Sequence, residues 1–312
     1  MPEQTDASSV DQYTTLPTGV TICFRDHGTH DDPVILLIAG LGEDQTFWGT
    51  SFIRSLVSRG YRVVTMDNRD VGQSSFMTTP PPAIWRQVLA RPRADAYTLA
   101  DMARDCLGVL DHLDIDRAHL VGRSMGGMIA QTVAATEPRR VCSLTSIYST
   151  TGSTQVGKPA KSTIRLLVVA PEARTRTDAV RAHLRITQHV AGTAYPIDDA
   201  AEAAIAARGW DRSAGDPAAG VARQIQAIQR SGDRTTQLSR ITAPTLVING
   251  DRDLMVHPSG GAATVAAIRS AQHVVIPGMG HHVPEALVDP LTHYITHHAD
   301  RVSEGAHHVE IP

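Results

Sequence analysis

From residue 18 to residue 147, solid apolar runs alternate with stretches whose apolar residues recur every three or four positions. "PVILLIAG" (33–40), "YRVVTMD" (61–67), "AHLVG" (118–122) and "VCSLTSIY" (141–148) are runs too short for helices and too continuous for a strand with one wet face. Such runs predict strands buried on both sides of a parallel sheet. "GVTICF" (19–24) predicts an earlier strand. Between them, "SFIRSLVSRG" (51–60), "YTLADMARDCLGVLDHL" (97–113) and "GGMIAQTVAATEP" (126–138) show the helical period. Thr98 with Asp101 three residues on predicts a capping box at the second of these. The rhythm stops near residue 150. Residues 150–240 hold helical patterns such as "AVRAHLRITQHV", "DDAAEAAIAARG" and "AAGVARQIQAIQRS", but no buried strand. It resumes with strand "PTLVING", helix "SGGAATVAAIRS", strand "HVVIPG" and helix "EALVDPLTHYITHHA". The expectation is one α/β core, residues 1–149 and 241–312, covered by helices on both faces and interrupted by a helical cap at 150–240. A shorter irregular insertion, "FMTTPPPAIWRQVLARPRADA", is marked by its prolines.

Composition narrows this picture without redirecting it. The 312 residues are 42% hydrophobic and 20% charged with a net charge of −3, so no basic surface for nucleic acid or anionic lipid is expected. The N-terminal "MPEQTDASSVDQ" lacks the basic start and apolar core of a secretory signal, and no run is long enough to span a bilayer. The expectation is a soluble cytoplasmic protein. Cys23, Cys106 and Cys142 are odd in number and scattered, and read as buried free thiols.

The chemistry concentrates at "VGRSMGG" (121–127). Gly122-Arg123-Ser124-Met125-Gly126 is a G-x-S-x-G set between a strand and a helix. In that setting the serine sits on a sharp, strained turn that lifts its hydroxyl over the sheet edge. A serine nucleophile needs a base, and the base an acid to orient it. Loops at the carboxyl ends of later strands supply candidates. "DRDLMVHP" offers Asp251, adjacent to the strand and suited to fixing a turn, and Asp253, far enough out to reach an imidazole. "MGHHVPE" offers His281 and His282; Gly278 and Gly280 shape a loop that projects His281, and His282 points elsewhere, toward a pocket rim.

The stretches "AGLGEDQTFW", "DNRDVGQSS", "YTLADMARD", "HLVGRSMGGMIAQ", "PTLVINGDRD" and "IPGMGH" resemble α/β-hydrolase-fold serine esterases, and are similar to the bacterial group of aclacinomycin methylesterase and mycobacterial lipases or esterases. The resemblance runs from about residue 34 to residue 284. It implies Ser124 as nucleophile, Asp253 as acid and His281 as base, with no metal or organic cofactor. It implies an oxyanion hole from the backbone N–H groups of Met125 and Leu41. Where many relatives have His-Gly, this chain has Ala39-Gly40-Leu41-Gly42, so something else braces that turn. Asp67 and Arg69 are expected to brace the loop near the elbow through an ion pair and backbone hydrogen bonds; Asp70 stands where relatives often have glycine. The implied activity is hydrolysis of a small to medium apolar carboxylic ester. Thioester, lactone or C–C bond hydrolysis and a non-catalytic ligand-binding role are the alternatives. Gly40, Trp48, Arg123 and His282 are candidate pocket residues. Arg123 either binds a substrate carboxylate or pairs with an acidic neighbour; Trp48 either lines the pocket or packs in the core. His293, His297 and His298 are expected to be solvated.

Overall fold

The computed structural model describes residues 10–169 and 173–307; the reading of the N-terminal stretch falls largely on residues outside these. Eight strands form one sheet: β1 (Gln12–Thr15), β2 (Thr21–His27), β3 (Val34–Ile38), β4 (Arg62–Met66), β5 (Ala118–Arg123), β6 (Val141–Ile147), β7 (Thr245–Gly250) and β8 (Gln272–Ile276). Their order is β1-β2-β4-β3-β5-β6-β7-β8. β1–β2 and β2–β4 pair antiparallel, and every other pair is parallel. β1 escaped the sequence pattern because "QYTT" is polar and buries only Thr14.

The solid apolar runs behave as a two-sided sheet requires. Along β3, Leu36 and Ile38 pack with Leu99, Met102, Ile129 and Val133 on one side. Ile35 and Leu37 pack with Phe52, Leu56, Leu291 and Ile295 on the other. Each such side chain contributes at most about 1.5–3 kcal/mol. The helix Leu99–His112 starts at the expected capping box: the Asp101 amide donates to the Thr98 hydroxyl and the Thr98 amide to the Asp101 carboxylate.

Register then places the functional loops. Ile38 pairs with Gly122, Arg123 with Ile147, Ile147 with Ile248, and Gly250 with Ile276. The turn after β3, the elbow after β5 and the loops after β7 and β8 therefore leave the sheet along one edge. Between β6 and β7, the described residues form five helices, Lys161–Val168, Arg176–Val190, Asp199–Arg212, Pro217–Ser231 and Thr235–Leu238.

Two expectations need correction. His298 is buried, 5% exposed, with Nε2 3.2 Å from the Pro244 carbonyl oxygen. His293 and His297 share the exposed face of the last helix, but one residue turns it by about 100° and carries His298 into the core. Cys23 and Cys106 are buried as expected, whereas Cys142 is half-buried.

A second buried histidine makes the fold acid-sensitive. His119 on β5 is 4% exposed, with Nδ1 2.8 Å from the Ser143 hydroxyl. Burial, then the nearby His298, push its pKa down to about 4. The folded chain thus binds fewer protons here than the unfolded chain between about pH 6.5 and pH 4. The stabilisation is complete above that window and is lost as pH falls through it, about 2 kcal/mol by pH 5. Urea unfolding at pH 7 and pH 5 should show His119→Gln losing less stability between the two than the parent, by about that amount.

Candidate active site

The elbow begins with strain. Ser124 has φ 52° and ψ −120°, a left-handed backbone that a side chain resists. Its amide donates to the Ile147 carbonyl at 2.9 Å, and the Ser149 hydroxyl donates to its carbonyl at 2.7 Å. The flanking glycines are required by contact. A Cβ on Gly122 would lie 2.2 Å from the Gly126 carbonyl oxygen, and one on Gly126 would lie 2.1 Å from that of Ile38. The elbow helix, Met125–Thr136, thereby starts against the end of β3 and points its N-terminus at the serine.

Three side chains converge. The Ser124 hydroxyl is 2.9 Å from His281 Nε2, and His281 Nδ1 is 2.7 Å from Asp253 Oδ2. The other oxygen of Asp253 accepts the Met255 and Val256 amides, each at 2.8 Å, which leaves Oδ2 for the imidazole. Asp251 instead accepts the Gly278 amide at 2.6 Å and ties the loop after β7 to the loop after β8. Tyr148, at φ 36°, lays its ring 4.4 Å from the His281 ring. The His281 loop is also held from the inserted helices: its amide donates to the Val190 carbonyl at 2.7 Å, and that of Gly280 to Ala191 at 2.8 Å.

The turn after β3 lies beside Ser124. A Cβ on Gly40 would be 3.5 Å from Ser124 Cβ. Glu43 accepts the Gly40 amide at 2.8 Å, and Gln224 accepts the Gly42 amide at 2.9 Å. Between them the Leu41 amide has no hydrogen-bond partner among the described residues. Arg123 is 6% exposed; its Nε donates to Glu43 at 2.7 Å and its guanidinium lies 5.1 Å from the Trp48 ring centre. Trp48 is 4% exposed, packs on Phe52 and borders the cleft.

Asp67 and Arg69 do not pair with each other. Arg69 turns to Asp105, with both contacts at 2.6 Å. Asp67 accepts the Gln45 and Gln73 amides at 2.8 Å and pairs with Arg212 of the inserted helices at 2.9 Å. Asp70 has φ 69°, the conformation that suits glycine, and its carboxylate offsets the strain by binding Arg223 at 2.6 Å and the Met77 amide at 2.8 Å.

A cleft of about 1290 Å³ opens over Ser124 between the sheet edge and the inserted helices. Phe47, Phe76, Ile186, Ile197, Ile205 and Val221 give it an apolar wall. A polar group interrupts that wall: Glu202 lies 2.7 Å from His183 Nε2 and 3.4 Å from His282 Nε2. Burial pushes the Glu202 carboxyl up, but the bond to His183 and the charges around it win and hold it below the usual carboxylate range. Burial holds the His282 imidazole below its ordinary value against the pull of Glu202. Glu43, Tyr148, His183 and Glu202 were not singled out from the sequence. Glu43 alone carried a signal there, as a carboxylate three residues after Gly40.

Sheet order, elbow and loop placement together define an α/β hydrolase, and the chain belongs to that family: the model of the alpha/beta hydrolase fold matches residues 33–285. Rhodomycin D methylesterase DnrP of Streptomyces peucetius is 26% identical over 304 residues, covering 89% of this chain and 95% of that protein. The 3-oxoadipate enol-lactonase 1 of Acinetobacter baylyi (strain ATCC 33305 / BD413 / ADP1) is 29% identical over 260 residues, covering 83% and 85%. The crystal structure of the enol-lactonase from Burkholderia xenovorans LB400 superposes with a TM-score of 0.69 at 25% identity, over 92% of this chain and 99% of that one. No helix among the described residues is long and apolar enough to cross a membrane.

Proposed function

We propose that the chain is a serine hydrolase of a carboxylic ester, working through an acyl-enzyme. The relay from Ser124 through His281 to Asp253, at 2.9 and 2.7 Å, is the observation that supports it. His281 takes the Ser124 proton as Oγ bonds to the ester carbonyl carbon. Asp253 stabilises the imidazolium. The Leu41 and Met125 amides bind the oxyanion, each donor lowering the barrier by about 3 kcal/mol. The carbon–oxygen bond to the alcohol then breaks, and His281 gives its proton to the leaving oxygen. A water activated by His281 attacks the acyl-enzyme, and the acid departs with Ser124 restored.

The five helices between β6 and β7 act as the cap expected at 150–240, over a core formed by 1–149 and 241–312. The apolar wall suits a small to medium apolar ester. Trp48, Arg123 and His282 border the cleft, whereas Gly40 lies beside Ser124 without lining it. Lactone hydrolysis is the second reading, favoured by the two enol-lactonase relatives. Matched substrates separate them: p-nitrophenyl butyrate against an aliphatic δ-lactone of similar size, with products identified by mass. Ester turnover at least tenfold above lactone turnover is expected. A fluorophosphonate should label the peptide that holds Ser124, and an unlabelled, inactive protein would return the site to ligand binding alone.

A further inference from the structure

The oxyanion hole of the proposed esterase takes its two amides from separate segments. Met125 follows β5, and Leu41 follows β3. Backbone pairing brings Ile38 beside Gly122 but ends there, so the turn from Gly40 to Glu43 lies beyond the sheet. Its position depends on side chains. Asn68 donates to the Ala39 carbonyl at 3.1 Å, and Gln224 accepts from Gly42. A hydrogen-bonded link between the turn and the residue before the elbow serine runs through one carboxylate oxygen. Glu43 Oε2 accepts the Gly40 amide at 2.8 Å and the Arg123 Nε–H at 2.7 Å. Arg123 is the last residue of β5, directly before Ser124, and the Trp48 ring packs against its guanidinium. The space for that carboxylate exists because residue 40 is glycine: a Cβ there would lie 2.6 Å from the same oxygen.

We infer that Arg123 and Glu43 are a positioning pair that sets the distance between the Leu41 and Met125 amides. This rests on the serine-esterase reading. Neither side chain is hydrogen-bonded to the side chain of Ser124 or His281. It acts through Gly40, whose amide it holds, and thereby orients the next amide in the chain. A guanidinium suits the task because Nε donates along a fixed direction while the flat face stays against the indole. The charge has a carboxylate partner at hand, which answers why a cation is tolerated beside the nucleophile.

The test uses p-nitrophenyl butyrate and an aryl trifluoromethyl ketone, which adds the serine oxygen and places an oxyanion in the hole. Arg123→Met should lower kcat by about 10²-fold, the cost of an ångström-scale misplacement. KM should stay within about twofold, because the lost interaction matters only in the transition state. The ketone inhibition constant should rise by the same factor as kcat/KM falls. Arg123→Lys should restore part of both, since an ammonium still donates to Glu43. Glu43→Gln should lower kcat in the same way, and the double variant Arg123→Met/Glu43→Gln should be no worse than Arg123→Met alone. The Glu43 side chain is 30% exposed, so its substitution keeps the test open if Arg123→Met does not fold.

An unchanged kcat in Glu43→Gln and Arg123→Met overturns the pair. A raised KM at constant kcat also overturns it, and makes Arg123 a substrate contact instead. A parent protein that neither turns over ester nor is labelled at Ser124 overturns the esterase reading, and this inference with it.

Discussion

Ser124→Ala is expected to lower kcat/KM for p-nitrophenyl butyrate by at least about 10⁴-fold, with KM little changed. In the proposed mechanism the hydroxyl at 2.9 Å from His281 forms the covalent bond, and among the described residues no other hydroxyl is hydrogen-bonded to that imidazole. The backbone at φ 52° is imposed by Gly122 and Gly126, not by the serine side chain, so alanine should fold into the same turn. Asp253→Asn should cost about 10⁴-fold by another route. Its oxygen keeps the Met255 and Val256 amides, and its NH₂ then faces His281 Nδ1, which selects the tautomer that cannot accept the serine proton. Initial rates of both variants at pH 7.5, with circular dichroism to show an intact fold, check this. An alanine variant as active as its parent would remove Ser124 from the chemistry.

Arg212→Met should cost about 3–5 kcal/mol of stability, the usual penalty for stranding buried charges. Arg212 leaves the inserted helices and reaches three carboxylates of the core, Asp11, Asp44 and Asp67, of which the last two are buried. Without it, Asp44 and Asp67 face each other with no cation. The deficit should depend on pH, in a direction opposite to that of His119. Burial foremost, and then Asp44, push the Asp67 pKa up to about 6 against the pull of Arg212. Removing the arginine raises it further. A carboxyl whose folded pKa lies above its unfolded value stabilises most when protonated, and that contribution is lost as pH rises. Arg212→Met should therefore be less destabilising at pH 5 than at pH 7.5. Urea midpoints of parent and variant at the two pH values measure the difference, which cancels the shared His119 contribution. A deficit that stays constant or grows on acidification would mean that Asp67 is not the group left stranded.

Both predictions concern a site that two kinds of anchoring assemble. Ser124 is held by its own strand and helix and by contacts to Ile147, Ser149 and the end of β3, all within the core. His281 is held through the Val190 and Ala191 carbonyls, which belong to the inserted helices. Those helices are clamped in turn to the core by Arg212, Arg223 and Gln224. Loosening the clamp is thus expected to reach His281 before it reaches Ser124.

What was legible in the chain and what was not divides along the same line. The apolar runs made the parallel strands readable because a strand buried on both faces has no polar alternation to keep. G-x-S-x-G read as an elbow because only a residue without a Cβ fits positions where one would lie 2.1–2.2 Å from a neighbouring carbonyl oxygen. The capping box at Thr98 read correctly because both of its hydrogen bonds close within three residues. Asp251, next to the strand, meets the Gly278 amide of the adjacent turn, and Asp253, two residues farther out, meets the His281 imidazole, a difference of reach that the spacing already carries.

Pairing between charges was not legible. Asp67 and Arg69 are two residues apart, yet each finds its partner elsewhere, in Arg212 and in Asp105. His298 looked like its solvated neighbours until the helix was docked and showed which face was covered. Arg123 kept two readings open because Glu43 lies 80 residues away, and the position of Glu202 between His183 and His282 depends on where a helix of the insertion comes to rest. Sequence by itself determined the local backbone: which segments are strands, where the turn is strained, and which residue types stand at the sheet edge. Tertiary structure alone decided the partners, because an ion pair is a contact in space between side chains that the chain path brings together, and periodicity carries no record of it.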